Sequence, residues 1–313
     1  MKAVFYNKYG TANVLEIGDL EKPIINDDEI LVQSHASSVN PVDWKIRNGS
    51  LKILTGKKFP KGLGGDIAGE VSELGGKVTG FEIGDEVYGK LSGLKSNAYA
   101  EFVVAKPGDL FRKPVNLNFI QAATVPLAAL TAYQALVTQG RLIQGSKVLI
   151  NGCSGGVGHF GVQIAKALGA DVTGVCSTKN IVLAKKLGAD KIIDYTKENV
   201  IDNKEKYDIF FDAVANQSYR KIKSILNKNG IYVTTLPAVG VILNIITGLF
   251  SSKKAKIINV KSNSRDLQMI TEMIESDKIE PIIDKIYPLE NVSDAHRYSE
   301  TGRVIGKLAL SIK

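Results

Sequence analysis

Between Asn151 and Gly158 the chain reads Asn-Gly-Cys-Ser-Gly-Gly-Val-Gly. Glycines let a backbone come close to an anion, and the free N–H groups at the start of a following helix carry partial positive charge, so such a loop between a strand and a helix suits a pyrophosphate. Cys153 stands where the G-x-G-x-x-G pattern has its usual first glycine. A glycine-rich turn also serves as a plain strand–helix connection, but here strand, loop, helix and second strand follow in the order a dinucleotide site needs. The second strand ends in Val175-Cys176-Ser177-Thr178-Lys179-Asn180, where an NAD-binding protein carries an acid for the ribose 2'-hydroxyl. No acid is present. The hydroxyls of Ser177 and Thr178 and the cation of Lys179 suit a 2'-phosphate instead, and the missing carboxylate removes the repulsion that excludes NADP. NADPH is therefore the predicted coenzyme. Ser177 and Asn180 also fit as caps of the next helix, a role compatible with phosphate contact.

The elements that must position this loop are legible as alternation. Apolar strands over 147–150, 171–176, 191–194, 207–214 and 230–236 are separated by helical stretches over 157–168, 180–188 and one closing near Asn227, the pattern of a doubly wound parallel sheet. Gly169 ends the first of these helices as a left-handed cap. Before it, short alternating segments over 2–6, 29–34, 69–74, 85–88 and 101–105 predict a mainly β domain. The tail carries helices over 264–276 and 292–298 and strands over 282–287 and 306–312, and is expected to rejoin the first domain. The predicted division is α/β overall: a catalytic domain over 1–120 and 262–313 and a coenzyme domain over 121–261.

Charge and cysteine content narrow the class. Forty Lys and Arg against 32 Asp and Glu give a net charge of +8, which attracts polyphosphates, nucleic acids or anionic membranes alike. The cations are scattered without an arginine-rich block or nucleic-acid module, which argues against nucleic acid. Two cysteines, Cys153 and Cys176, make neither a disulfide framework nor a four-cysteine zinc site and suit a reducing compartment. His35, His159 and His296 show no ligand spacing, so no metal is predicted. No signal peptide or membrane-length apolar run is read, so a cytoplasmic protein is expected.

Larger blocks carry a resemblance over the whole chain. They are Ser38-Val39-Asn40-Pro41-Val42-Asp43-Trp44-Lys45-Ile46-Arg47-Asn48-Gly49, Gly64-Gly65-Asp66-Ile67-Ala68-Gly69-Glu70-Val71, Phe81-Glu82-Ile83-Gly84-Asp85, Leu130-Thr131-Ala132, the 154–158 loop, and Leu187-Gly188-Ala189-Asp190 with Ile193-Asp194-Tyr195. Together they resemble the medium-chain dehydrogenase/reductase superfamily, most of all its zinc-independent quinone and enone oxidoreductase branch, in the group of the chloroplast envelope quinone oxidoreductase homologue. The resemblance implies a GroES-like, mainly β catalytic domain and a Rossmann coenzyme domain. It also implies Ser154, Gly155, Gly156 and Val157 along the pyrophosphate, Thr131 under the nicotinamide, and Tyr195 beside the adenosine 2'-phosphate, although Tyr195 fits core packing equally.

Zinc members of the superfamily hold their metal at positions matching Asn40, Gly65 and Leu127, none of which supplies a ligand set here. Without a Lewis acid an alkoxide is hard to stabilise, whereas hydride addition to a quinone or to the β-carbon of an enone needs only hydrogen-bond donors at the oxygen. Lys45 is the first candidate donor, at a position where many relatives carry Tyr; a solvent-facing lysine is the alternative. Asn40 is a second candidate, able to bind substrate or ribose, or else simply to form an Asn-Pro turn. Asp43 and Asp66 are expected to orient loops. The expected substrate is an apolar carbonyl compound or quinone, and the competing reading is a nucleotide-binding protein with a structural, regulatory or membrane-associated role. The apolar run Leu236-Pro237 to Phe250 with Lys253 and Lys254 is expected to line the substrate cleft, or alternatively to make a peripheral membrane contact. A homodimer is expected through a Rossmann sheet edge, for which 230–236 or the segment after it is the candidate.

Overall fold

Strand β3 (Ile30–Val39) is buried along most of its length, because it receives partners on both sides and helical cover besides. The computed structural model describes residues 1–94, 96–202, 204–236 and 252–313, which divide into two units. Unit one holds Met1–Leu127, Lys261–Glu275 and Pro281–Lys313; unit two holds Ala128–Val260 and Ser276–Glu280.

In unit one, β1 (Lys2–Tyr6) lies between β2 (Glu16–Asp19) and β4 (Lys61–Gly62) in a small sheet. A seven-stranded sheet joins β3 to β5 (Asp66–Leu74), β6 (Glu86–Lys90), β7 (Phe102–Ala105) and β8 (Leu110–Arg112). All these pairs are antiparallel. The core between them is built by Ile30, Val32, Ile67, Val71, Val87 and Val103. Two short helices, Pro41–Arg47 and Phe119–Ala123, stand in stretches to which the sequence pattern assigns no element. Pro41 opens the first at a position whose N–H a helix does not use, and the Asp43 carboxylate accepts the Asn40 N–H at 2.7 Å.

Unit two contains β9 (Lys147–Asn151), β10 (Asp171–Cys176), β11 (Lys191–Asp194), β12 (Tyr207–Asp212), β13 (Leu226–Thr234) and β14 (Lys254–Ile257), ordered 11-10-9-12-13-14 and parallel throughout. The order reverses at β9, and in such sheets ligands bind beyond the carboxyl ends of the strands at that reversal. The loop 152–157 lies there, followed by the helix Gly158–Ala167. Gly169, at φ +79°, closes that helix in the left-handed conformation. The strand expected as a sheet edge over 230–236 is instead interior, paired on one side by β12 and on the other by β14; its run of buried residues is what two partners require. Back in unit one, β15 (Ile283–Pro288) pairs with β16 (Lys307–Ser311), and β16 pairs antiparallel with β3. The apolar run over 236–254 falls, for residues 237–251, outside the described residues.

A Cβ at Gly158 would lie 2.0 Å from the Gly152 carbonyl oxygen and 2.9 Å from the Cys153 Cα, both backbone atoms that cannot swing aside. Gly158→Ala is therefore expected to destabilise the chain by about 1–3 kcal/mol and to weaken nicotinamide-dinucleotide binding, read by chemical denaturation and by fluorescence titration with NADPH and NADH. An unchanged pair of readings would contradict the close approach.

Candidate active site

Unit one brings three distant polar residues together because three adjacent strands do. Asn40 follows β3, Asp66 opens β5 and Lys307 opens β16. Asp66 is fully buried and Lys307 nearly so. The Asp66 Oδ2 accepts from Asn40 Nδ2 at 2.8 Å and from Ser38 Oγ at 2.5 Å, and lies 3.7 Å from Lys307 Nζ. The Asp66 Oδ1 accepts the Leu127 N–H at 2.7 Å. Lys307 Nζ in turn donates to Asn40 Oδ1. Burial pulls the Lys307 ammonium below the usual lysine range, against the opposing pull of Asp66 and Asp43. One carboxylate thus bonds the side chain of residue 40 and the backbone of residue 127, and directly follows residue 65. These are the three positions matching the zinc ligands of the metal-dependent relatives. Their occupants, Asn, Gly and Leu, offer no ligand set, and among the described residues no three His, Cys, Asp or Glu side chains gather around a common point.

Asn40 is 2% exposed, and its amide is engaged on both sides by Asp66 and Lys307, so it presents no free donor at the surface. Asp43, on the same helix, accepts from Tyr99 Oη at 2.9 Å and from the Asn40 backbone. Burial pushes its carboxyl up to about 7, against those hydrogen bonds. Lys45, two residues further, is half-buried, and burial lowers its pKa. Its Nζ lies 5.3 Å from the Trp44 ring centroid and makes no ion pair among the described residues. The neighbouring Trp44 Nε1 is buried without a hydrogen-bond partner there. Arg47 Nε, at the end of the same helix, is likewise buried without a hydrogen-bond partner there, so Lys45 Nζ is the partly exposed cation of this helix.

In unit two the predicted coenzyme residues gather at the carboxyl edge of the sheet. Gly152 takes φ +78° at the turn out of β9, and Gly155, Gly156 and Val157 are partly exposed on the loop. Ser154 is buried, and its Oγ accepts from Asn180 Nδ2 at 2.8 Å. Asn180, considered from sequence only as a helix cap, ties the phosphate loop to the segment after β10. Ser177 Oγ is buried with no protein partner, a donor waiting for an acceptor. Lys179 is exposed and Tyr195 is 61% exposed, which sets aside core packing for the tyrosine. Thr131 is buried on the helix Pro126–Tyr133. The open glycine backbone and the orphaned Ser177 hydroxyl fit a dinucleotide.

The structure also supplies an acid where sequence showed none. Cys176 pairs in register with Asp194 on β11, so the carboxylate of a neighbouring strand arrives beside the segment after β10. It accepts from the Thr178 hydroxyl, from Thr196 Oγ1 at 2.6 Å and from Thr196 N at 3.0 Å, and these bonds, Thr178 first, hold its pKa below the usual range. Asp194 therefore clamps the loop, and Thr178 is committed to that clamp. At the end of β12 the buried Asp212 has a parallel task. It accepts from Asn151 Nδ2 at 2.7 Å, Tyr232 Oη at 2.8 Å, and Ala215 N and Gln217 N at 2.9 Å, fixing the loop that follows. Asp194 lies in the family block Ile193-Asp194-Tyr195, but its role as a clamp is visible only in the register across strands, and Asp212 carries no motif.

Comparison with known proteins agrees with this layout. Residues 26–115 match the alcohol dehydrogenase GroES-like domain, and residues 187–310 match a zinc-binding dehydrogenase domain, although the ligand positions above hold no zinc ligands. The chain is 34% identical over 321 residues to the NADPH-dependent alkenal/one oxidoreductase of Arabidopsis thaliana, covering 99% of this chain and 79% of that one. It is 32% identical over 320 residues to the chloroplast envelope quinone oxidoreductase homologue of the same plant, covering 98% and 97%. The quinone oxidoreductase structure from Coxiella burnetii superposes with a TM-score of 0.92 at 34% identity, covering 100% of this chain and 99% of that one.

The buried Asp43 generates a pH signature. Its folded pKa of about 7 lies above the ordinary 3.8, so the folded state binds its proton more tightly. That contribution to stability is complete below about pH 4 and is lost as pH rises through 7, on the order of 2–4 kcal/mol in all. Asp43→Asn should flatten the decline across this window in urea denaturation at stepped pH; identical slopes in both proteins would contradict the assignment.

Proposed function

The chain belongs to the medium-chain dehydrogenase/reductase superfamily, and from that membership we propose that it is a zinc-independent, NADPH-dependent reductase of quinones or of the carbon–carbon double bond of α,β-unsaturated carbonyls. The observation that carries the reading is the hydrogen-bonded hub in which Asp66 and Lys307 hold Asn40, one of three positions, with Gly65 and Leu127, that match zinc ligands of metal-dependent relatives and supply none here. These residues offer no ligand set for the Lewis-acid metal that an alcohol-to-alkoxide step uses, but suit an acceptor whose oxygen asks only for a hydrogen bond.

NADPH, when bound, supplies the hydride. The chain's own residues divide the remaining work. On this reading the backbone of Ser154, Gly155, Gly156 and Val157 binds the pyrophosphate, held in shape by Asn180 on Ser154. Ser177, Lys179 and Tyr195 receive the 2'-phosphate, with Thr178 fixing their loop through Asp194, and Thr131 supports the nicotinamide. NADPH preference rests on this donor set and on the relative named as NADPH-dependent. Lys45 donates from its ammonium to the oxygen on which charge develops. Its partial burial makes that charge more effective, since a less hydrated cation interacts more strongly. Asn40 acts by positioning the helix that carries Lys45, its own amide being committed within the hub. Apolar carbonyl compounds and quinones are the substrate class, and a homodimer built on the coenzyme sheet would use its edge strands β14 or β11. The buried free thiols suit a reducing compartment, taken here as the cytoplasm.

Lys45→Met, assayed by NADPH absorbance against an ortho-quinone, short and long enones and their saturated ketones, should lower kcat on the enones by about 10²-fold or more while leaving NADPH affinity intact. Activity in the unaltered protein should fall as pH rises through a lysine pKa below the free value, because the ammonium is the working form. Unchanged kcat in Lys45→Met would remove the lysine from the mechanism, and turnover of saturated ketones alone would remove the proposed acceptor class.

A further inference from the structure

From Trp44 to Gly65 the chain contains no Asp or Glu, and this stretch displays apolar side chains in a way the fold does not require. The single helical turn Lys52–Thr55 presents Ile53 at 92% and Leu54 at 66% exposure. Lys52, Lys57 and Lys58 surround them, all exposed and without an ion pair among the described residues. The base of the turn, by contrast, is held firmly. Lys61 Nζ donates to Thr55 O at 3.0 Å, to Tyr9 Oη at 2.7 Å and to Gly56 O. Tyr9 and Thr55 hydroxyls lie 3.0 Å apart, and the Phe59 ring packs edge-on against Tyr9 and Tyr6. A rigid footing thus holds two branched apolar side chains out into water, ringed by cations.

We propose that the 52–58 turn docks the protein on an anionic lipid surface, Ile53 and Leu54 entering the acyl boundary and Lys52, Lys57 and Lys58 meeting the lipid phosphates. Apolar side chains beside unpaired lysines are the combination that interfacial binding uses, each half weak and the pair additive. A protein partner fits less well, since two side chains on one turn cover a small part of the roughly 800 Å² per partner of a stable interface. A second copy fits least, since two such faces would bring like charges together. The inference is independent of the proposed reaction.

The test is co-sedimentation of the full chain at low salt with phosphatidylcholine vesicles and with mixed phosphatidylcholine–phosphatidylglycerol vesicles. Binding to the mixed vesicles alone, weakened about tenfold or more by Ile53→Asp with Leu54→Asp and also by Lys57→Glu with Lys58→Glu, is expected. Lys221→Glu with Lys228→Glu, an equal change of charge at exposed sites of unit two, should alter binding by no more than about twofold. Thermal melting and NADPH binding of each variant report folding, and because both lysines are exposed that pair keeps the test open should the apolar pair misfold. Absence of vesicle binding, equal loss in the unit-two control, or full binding by the Ile53/Leu54 variant would each overturn the proposal. So would retention on an acidic protein column without vesicle binding, which would assign the turn to a protein partner.

Discussion

Much of unit one depends on a buried contact between opposite charges, Asp66 with Lys307, 3.7 Å apart. Removing two ions from water is costly, and the cost is recovered only when every remaining lone pair and proton finds a partner. Here Asp66 takes bonds from Ser38, Asn40 and Leu127, while Lys307 adds one to Asn40. The contact therefore joins β3, β5, β16 and the start of the helix Pro126–Tyr133. Its tertiary reach is long in sequence: the C-terminal strand closes a network opened before residue 40. Loss of either ion would leave the other buried alone, a defect of about 3–5 kcal/mol.

The same principle organises the coenzyme unit with different residues. Asp212 and Asp194 each end a parallel strand and each accept several hydrogen bonds from the loops that follow. Parallel strands leave their loops on one edge, so carboxylates at their ends can fix those loops before any ligand arrives. In both units acidic groups are used internally to set the shape of polar loops.

How much of this was legible in the sequence follows from the range of each signal. The glycine loop, the helix behind it and its Gly169 cap were readable because turn chemistry is local. The parallel sheet was readable from apolar alternation. The helix Pro41–Arg47 was recognisable only as a family block, since seven residues hold too little periodicity to announce a helix. The roles of Lys307 and Asp194 were illegible locally, although Asp194 sits in a family block. Their partners lie across strands, and nothing in the residues near Lys307 distinguishes it from the many solvated lysines. The interior place of β13 was misjudged for the same reason, because strand order is a tertiary fact.

The proposed reaction requires that a chain without a ligand set at the zinc-matching positions direct hydride to the β-carbon of an enone rather than to its carbonyl carbon. The most direct measurement supplies the metal-stripped protein with NADPH deuterated on the transferred position and a long-chain α,β-unsaturated ketone, and locates the label by NMR. Deuterium on the β-carbon of a saturated ketone is predicted. Deuterium on a carbinol carbon, or turnover that returns only when zinc is restored, would contradict the account.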